Sequence, residues 1–224
     1  MTLSVLVGVM ATGALIGAAD RSYAATRRPA GASGAPIVVA LGDSLTAGPG
    51  LQRDETYPAL LEQRIAAAAL PFHVINAGVS GQTSSEVRRR FDRAVVPGTE
   101  VLILAVGAND GLRGVPVETL RGNLEDMIQR AQQRGIHVLL VGMETPPTRG
   151  WNYTVAFHHV FPDLAAKYHL PLMPFLLSGV IGMQQYNRDD GVHPNAAGAR
   201  LIADHMWAYL EPLLRAVAAE DSRH

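Results

Sequence analysis

Cysteine does not occur anywhere in the 224-residue chain. Disulfide frameworks, thiolate metal sites, iron–sulfur clusters and a cysteine nucleophile are therefore ruled out together. Lysine is nearly missing too. Of 19 basic residues only Lys167 is a lysine, and it lies in Ala165-Ala166-Lys167-Tyr168, an ordinary helical context with no setting for Schiff-base chemistry. It is not part of a G-x-x-x-x-G-K-[ST] string, and no G-x-G-x-x-G string occurs, which removes both familiar nucleotide-binding loops. Net charge is also wanting. With 19 basic and 20 acidic side chains the formal charge is -1, so the chain carries no overall electrostatic footprint for nucleic acid or an anionic membrane surface. His158 and His159 are chain neighbours and cannot form the i, i+4 pair of a helical metal site. Asp189 and Asp190, equally adjacent, cannot flank a glycosidic bond. No cofactor or metal is expected, and any nucleophile has to be an oxygen.

What is present is apolar surface: 48% of the residues are hydrophobic, enough for one sizeable core. Residues 1–24 read as an export leader, with an apolar run from Leu3 to Ala19 followed by the small residues Ser22 and Ala24. No basic residue precedes the run. If it is not cleaved, its 17 residues approach the ~20 that span a bilayer and would act as an anchor, the one route to membrane association. Residues 25–36, rich in Ala, Gly, Pro and Arg, form a linker. Residues 37–218 form the folded domain and 219–224 a tail.

Short apolar runs alternate with amphipathic segments from Ile37 onward. The runs predict strands over Ile37–Leu41, His73–Asn76, Val101–Val106, His137–Val141 and Pro171–Pro174. Helices are expected from Pro58, over Ser84–Ala94, along Leu120, Leu124, Met127, Ile128 and Ala131 to a stop at Gly135, over Tyr153–His169 with a break or kink before Pro162, and over Asn195–Val217. In the last, Leu201, Ile202, Met206, Tyr209 and Leu210 are expected to face the core. This order predicts a three-layer α/β/α sandwich on a five-stranded parallel sheet, with function at the carboxyl ends of the strands.

Each of those ends carries polar residues. Ser44 follows the first strand, with Gly42 before it to allow a sharp turn, and is the candidate nucleophile. A serine hydroxyl needs a base, and the base an orienting group. His193 and Asp190 sit three residues apart in a turn before the last helix, close enough for the carboxylate to accept the Nδ1 proton. The order Ser, Asp, His is that of α/β-hydrolases, but the G-x-S-x-G elbow is missing. Taken singly, Ser44 could be a helix cap, Asn109 an Asx-turn residue and His193 a surface histidine. Asp43 and Asp110 read as structural acceptors for loop amides.

Gly42-Asp43-Ser44-Leu45, Gly81, Gly107-Ala108-Asn109-Asp110 and Asp190-x-x-His193, in this order between Ile37 and Leu214, resemble the SGNH (GDSL) hydrolases. The strings 76–84, 109–114 and 189–195 are similar to those of the bacterial thioesterase I, lysophospholipase L1 and arylesterase group. The resemblance implies the flavodoxin-like SGNH hydrolase fold, Ser44 as nucleophile, His193 as general base and acid, and Asp190 as its partner. It also implies an oxyanion hole from the Ser44 and Gly81 backbone N–H groups and the Asn109 amide. The implied reaction is hydrolysis of small to medium acyl esters and thioesters through an acyl-enzyme on Ser44, with segments 111–115 and 143–150 as pocket walls. Two other functions fit less of the pattern: a carbohydrate O-acetyl esterase using Trp151 and Tyr153 as a sugar platform, and a non-catalytic envelope binding protein on the same scaffold.

Overall fold

The computed structural model describes residues 34–221. The expected leader or anchor (1–24) and most of the linker lie outside them. Among the described residues thirteen strands and α-helices follow one another: β1 (Ile37–Gly42), α1 (Ser44–Ala47), α2 (Tyr57–Ala67), β2 (His73–Gly78), α3 (Ser84–Arg89), α4 (Phe91–Ala94), β3 (Thr99–Ala105), α5 (Ala108–Arg113), α6 (Val117–Gln133), β4 (His137–Val141), α7 (Trp151–Tyr168), β5 (Leu172–Met173) and α8 (Ala196–Asp221). The five strands form one parallel sheet in the order β2-β1-β3-β4-β5. Helices α2 and α8 pack together, and α6 packs against α3 and α7, giving the expected three layers.

Burial explains why these strands read as unbroken apolar runs. Val38 to Leu41 in β1, Val101 to Ala105 in β3 and Leu139 to Val141 in β4 are sealed from solvent, because helices cover both faces of a parallel sheet. The edge strand β2 has no fully buried residue. In α6 the predicted stripe Leu120, Leu124, Met127, Ile128 and Ala131 is entirely buried, and Gly135, at φ 72°, follows the helix end. The chain leaves β1 for β2 on one side and returns to β3 on the other. The carboxyl ends of β1 and β3 therefore flank the topological switch point, where parallel α/β sheets open a crevice.

Four sequence expectations need correction. The single helix expected over Ser84–Ala94 is two helices, parted at Arg90 (φ -100°, ψ 6°), whose side chain turns inward. The helix expected to break or kink before Pro162 is not broken there: Phe157, Val160, Phe161 and Leu164 are anchored in the core, and this packing outweighs the one backbone bond that proline cannot make. In α8, Ile202, Met206 and Leu210 are buried as expected, but Tyr209 is 37% exposed and Leu201 only half-buried. That helix also continues past Val217 to Asp221. The short helices α1 and α5 were not expected, and both start at the switch point.

Candidate active site

Ser44 is the first residue of α1. Asp43 caps that helix, its Oδ1 accepting from the Leu45 N–H at 3.0 Å, so the aspartate that precedes the serine builds the turn that presents it. Gly42 is needed for a different reason than a sharp turn. Its backbone is not left-handed, but a Cβ there would lie 2.0 Å from Thr46 Oγ1 and 2.8 Å from the Ala105 carbonyl.

His193 reaches the serine from the far end of the chain: its Nε2 lies 2.9 Å from Ser44 Oγ, across 149 residues of sequence. Its Nδ1 lies 2.8 Å from Asp190 Oδ2. A carboxylate facing Nδ1 fixes the hydrogen there and leaves Nε2 to accept from the hydroxyl. Asp190 Oδ1 accepts from the backbone N–H of Val192 at 2.9 Å and of His193 at 2.8 Å. The His193 N–H, then the Val192 N–H, then the imidazole hold this carboxyl well below the usual carboxylate range, so it stays ionised. The turn is closed by an antiparallel bridge between Asn187 and Pro194, and Arg188 Nη1 ties it to the Pro49 carbonyl beyond α1 at 2.6 Å.

Two other expected residues lie across the crevice. Gly81 has φ 78°, a left-handed backbone that favours glycine, while a Cβ there would meet only Arg113 Nη2 at 3.8 Å; conformation, not crowding, selects it. Its carbonyl accepts from Arg113 Nη2 at 2.7 Å. Asn109, in the first turn of α5, donates one amide hydrogen to the Gln82 carbonyl at 3.0 Å. Among the described residues neither the Ser44 nor the Gly81 N–H donates to a protein acceptor, while the Asn109 amide acts on two groups, the Gln82 carbonyl and the Asp43 carboxylate.

Behind these groups lie two buried carboxylates, both structural acceptors. Asp110 accepts from the Ser84 N–H at 2.7 Å and the Ser84 hydroxyl at 2.5 Å, and Asn123 Nδ2 donates to the same hydroxyl at 2.9 Å. Burial raises the Asp110 carboxyl. Asp43 is fully buried, and its Oδ2 accepts no hydrogen bond. Burial pushes its carboxyl up to about 6, against the Leu45 N–H; the Asp110 charge adds to the rise, while the Asn109 amide and His193 oppose it.

The segments 111–115 and 143–150 touch each other. A Cβ on Gly111 would lie 2.8 Å from Thr145 Cβ, Arg149 Nη2 donates to the Leu112 carbonyl at 3.4 Å, and the Tyr153 hydroxyl donates to the Val115 carbonyl at 2.8 Å. Leu112 and Val155 are exposed beside them. The Tyr153 ring lies 6.1 Å from the Phe157 ring between centroids, and Trp151 is exposed. His158 pairs with Glu144 at 2.7 Å, and among the described residues no cluster of three His, Cys, Asp or Glu could hold a metal ion. Sequence reasoning missed Gln82 and Arg90, whose contacts join separate segments and leave no mark on local spacing.

Residues 40–201 match the model of the GDSL-like lipase/acylhydrolase family. The chain belongs to that family. Esterase TesA of Pseudomonas aeruginosa is 36% identical over 181 residues, 80% of this chain and 90% of the relative. Thioesterase 1/protease 1/lysophospholipase L1 of Escherichia coli is 33% identical over 184 residues, 82% of this chain and 87% of the relative. The crystal structure of TesA superimposes with a TM-score of 0.75 at 35% identity, covering 79% of this chain and 99% of that one. The SGNH (GDSL) resemblance and the α/β fold expected from sequence both hold, and the chain is a hydrolase of the acylhydrolase family.

Proposed function

We propose that the protein is a serine esterase that hydrolyses small to medium acyl esters and thioesters through an acyl-enzyme on Ser44. The observation that carries this is the hydrogen-bonded line from Asp190 through His193 to Ser44 Oγ, at 2.8 and 2.9 Å. As Oγ attacks the acyl carbonyl carbon, His193 Nε2 takes the hydroxyl proton. Asp190, ionised, stabilises the resulting imidazolium and keeps the ring in register. Negative charge gathers on the carbonyl oxygen, where the free N–H groups of Ser44 and Gly81 and the Asn109 amide serve as donors. Collapse breaks the bond to the alcohol or thiol, which leaves with the proton from His193. Water then repeats the sequence on the acyl-serine and releases the carboxylic acid. The substrate is the partner; no cofactor takes part, and the wall of residues 111–115 and 143–150 bounds the acyl group.

The test is hydrolysis of p-nitrophenyl esters from acetate to palmitate, with an acyl-CoA arm for thioesters and Ser44→Ala as control. Activity that peaks above acetate and vanishes in the variant is expected. Activity confined to acetate would favour the carbohydrate O-acetyl esterase, and none at any length would revive the binding-protein reading. The apolar run Leu3–Ala19 supports export, with residues 1–24 removed. A mature terminus near Ala25 is expected, and an intact Met1 in the membrane fraction would point to the anchor instead.

A further inference from the structure

Arg90 is a half-buried cation with no carboxylate within 4.0 Å among the described residues, while the neighbouring exposed Arg88 pairs with Asp126. Desolvating a charge without an ion pair is costly, and burial lowers its pKa accordingly. The chain even parts α3 from α4 at this residue. What the guanidinium gains is two oxygens from different segments. Nη2 donates to the Gly42 carbonyl at 2.9 Å, two residues before Ser44, and Nε donates to Gln82 Oε1 at 2.5 Å. The Gln82 backbone carbonyl in turn holds the Asn109 amide, and Gln82 follows Gly81 directly.

We infer that Arg90 is a positioning residue for the reaction: its fork locks the turn carrying Ser44 to the loop carrying Gly81 and anchoring Asn109. The inference rests on the proposed role of those three groups. One planar donor bridges the two halves of the oxyanion site, so their separation is set by guanidinium geometry. A positive charge with no ion-pair partner is also held against the Gly42 carbonyl, two residues from Ser44, where it favours a transition state whose carbonyl oxygen turns negative. A lysine supplies the charge but a single point of donation, so it cannot span both acceptors in a fixed plane. Arg113, bonded to the Gly81 carbonyl at 2.7 Å, braces the same loop but is itself paired with Glu86.

A cleft of about 480 Å³ lies against Arg90, lined by Gln82, Glu86, Arg89, Arg90, Asp92 and Arg93. It offers a route for chemical rescue. The experiment compares full-length wild type, Arg90→Ala, Arg90→Lys and Ser44→Ala on p-nitrophenyl butyrate, with thermal unfolding of each and the rate of labelling by a serine-directed phosphonate. In Arg90→Ala, kcat and the labelling rate are expected to fall about 10–100-fold while KM stays within about threefold. Added methylguanidinium should restore part of kcat, and methylammonium should not. Arg90→Lys should fold as wild type does yet lose several-fold in kcat.

Wild-type kcat in Arg90→Lys, or a loss in Arg90→Ala that vanishes once each variant is assayed well below its Tm, would overturn the inference. The same holds if methylammonium rescues as well as methylguanidinium. Should Arg90→Ala fail to fold, the lysine variant decides alone. Ser44→Ala separates the two levels: if it keeps turnover, the site reading itself fails, and if it is inactive while Arg90→Ala matches wild type, only the role of Arg90 fails.

Discussion

Replacing Asp43 by asparagine removes one buried charge and keeps the shape. The amide retains an Oδ1 to accept from the Leu45 N–H, so the cap on α1 survives, while the unpartnered Oδ2 becomes an NH2 group. The native carboxyl is pushed up from 3.8 to about 6, mainly by burial. An acid with a raised folded-state pKa binds a proton more tightly when folded. The stability this gives is complete below the unfolded pKa and lost as pH rises through the folded one. A shift of this size amounts to roughly 3 kcal/mol over the full range, of which about 2 kcal/mol falls between pH 4.5 and 7.5. The asparagine variant has nothing to titrate at this position. Wild type should therefore lose about 2 kcal/mol relative to Asp43→Asn across that interval, a relative Tm change of about 4–8 °C for a domain this size. Asp110 repels Asp43, so the difference belongs to the coupled pair. Calorimetry of both proteins at several pH values measures it. A wild-type-minus-variant difference that stays flat from pH 4.5 to 7.5, or grows in the opposite sense, would refute a buried carboxyl titrating near neutrality.

Asn109→Ala should lower kcat about 10²–10³-fold with little change in KM, since on the proposed mechanism its amide acts on charge present only in the transition state; near-wild-type steady-state rates would remove it from the oxyanion site. Gly42→Ala should lose most activity and several degrees of Tm, because its Cβ would meet Thr46 and the Ala105 carbonyl and displace the turn that presents Ser44. An alanine variant with unchanged melting and turnover would show that the turn yields without cost.

How much of this was legible in the sequence depended on the range of the interactions involved. β1, β3 and β4 announce themselves because burial on both faces leaves only apolar residues, and α6 because its stripe follows the helical repeat. Helices α1 and α5, of four and six residues, leave no periodicity; their polar residues look like loop. Pro162 does not end its helix because the core holds Phe157 and Phe161, which local propensity does not reveal. Ser44, Asp190 and His193 stand out as candidates by residue type and loop position, Ser44 after β1 and the other two before α8, and the fold brings their side chains into one hydrogen-bonded line. Arg90 does not: it follows Arg88 and Arg89, and only the fold, which places a carbonyl from 48 residues earlier beside it, tells the inward arginine from the outward ones.

The two links of the Asp190–His193–Ser44 line close over different spans. Asp190 meets His193 within one turn, whereas His193 meets Ser44 across 149 residues. Local contacts form early in folding and distant ones wait for the intervening chain to collapse. During synthesis Ser44 emerges long before its base, and α8, which follows that base directly, must still dock beside α2. On the proposed mechanism, hydrolysis therefore waits until the segment carrying His193 has been made and α8 has docked.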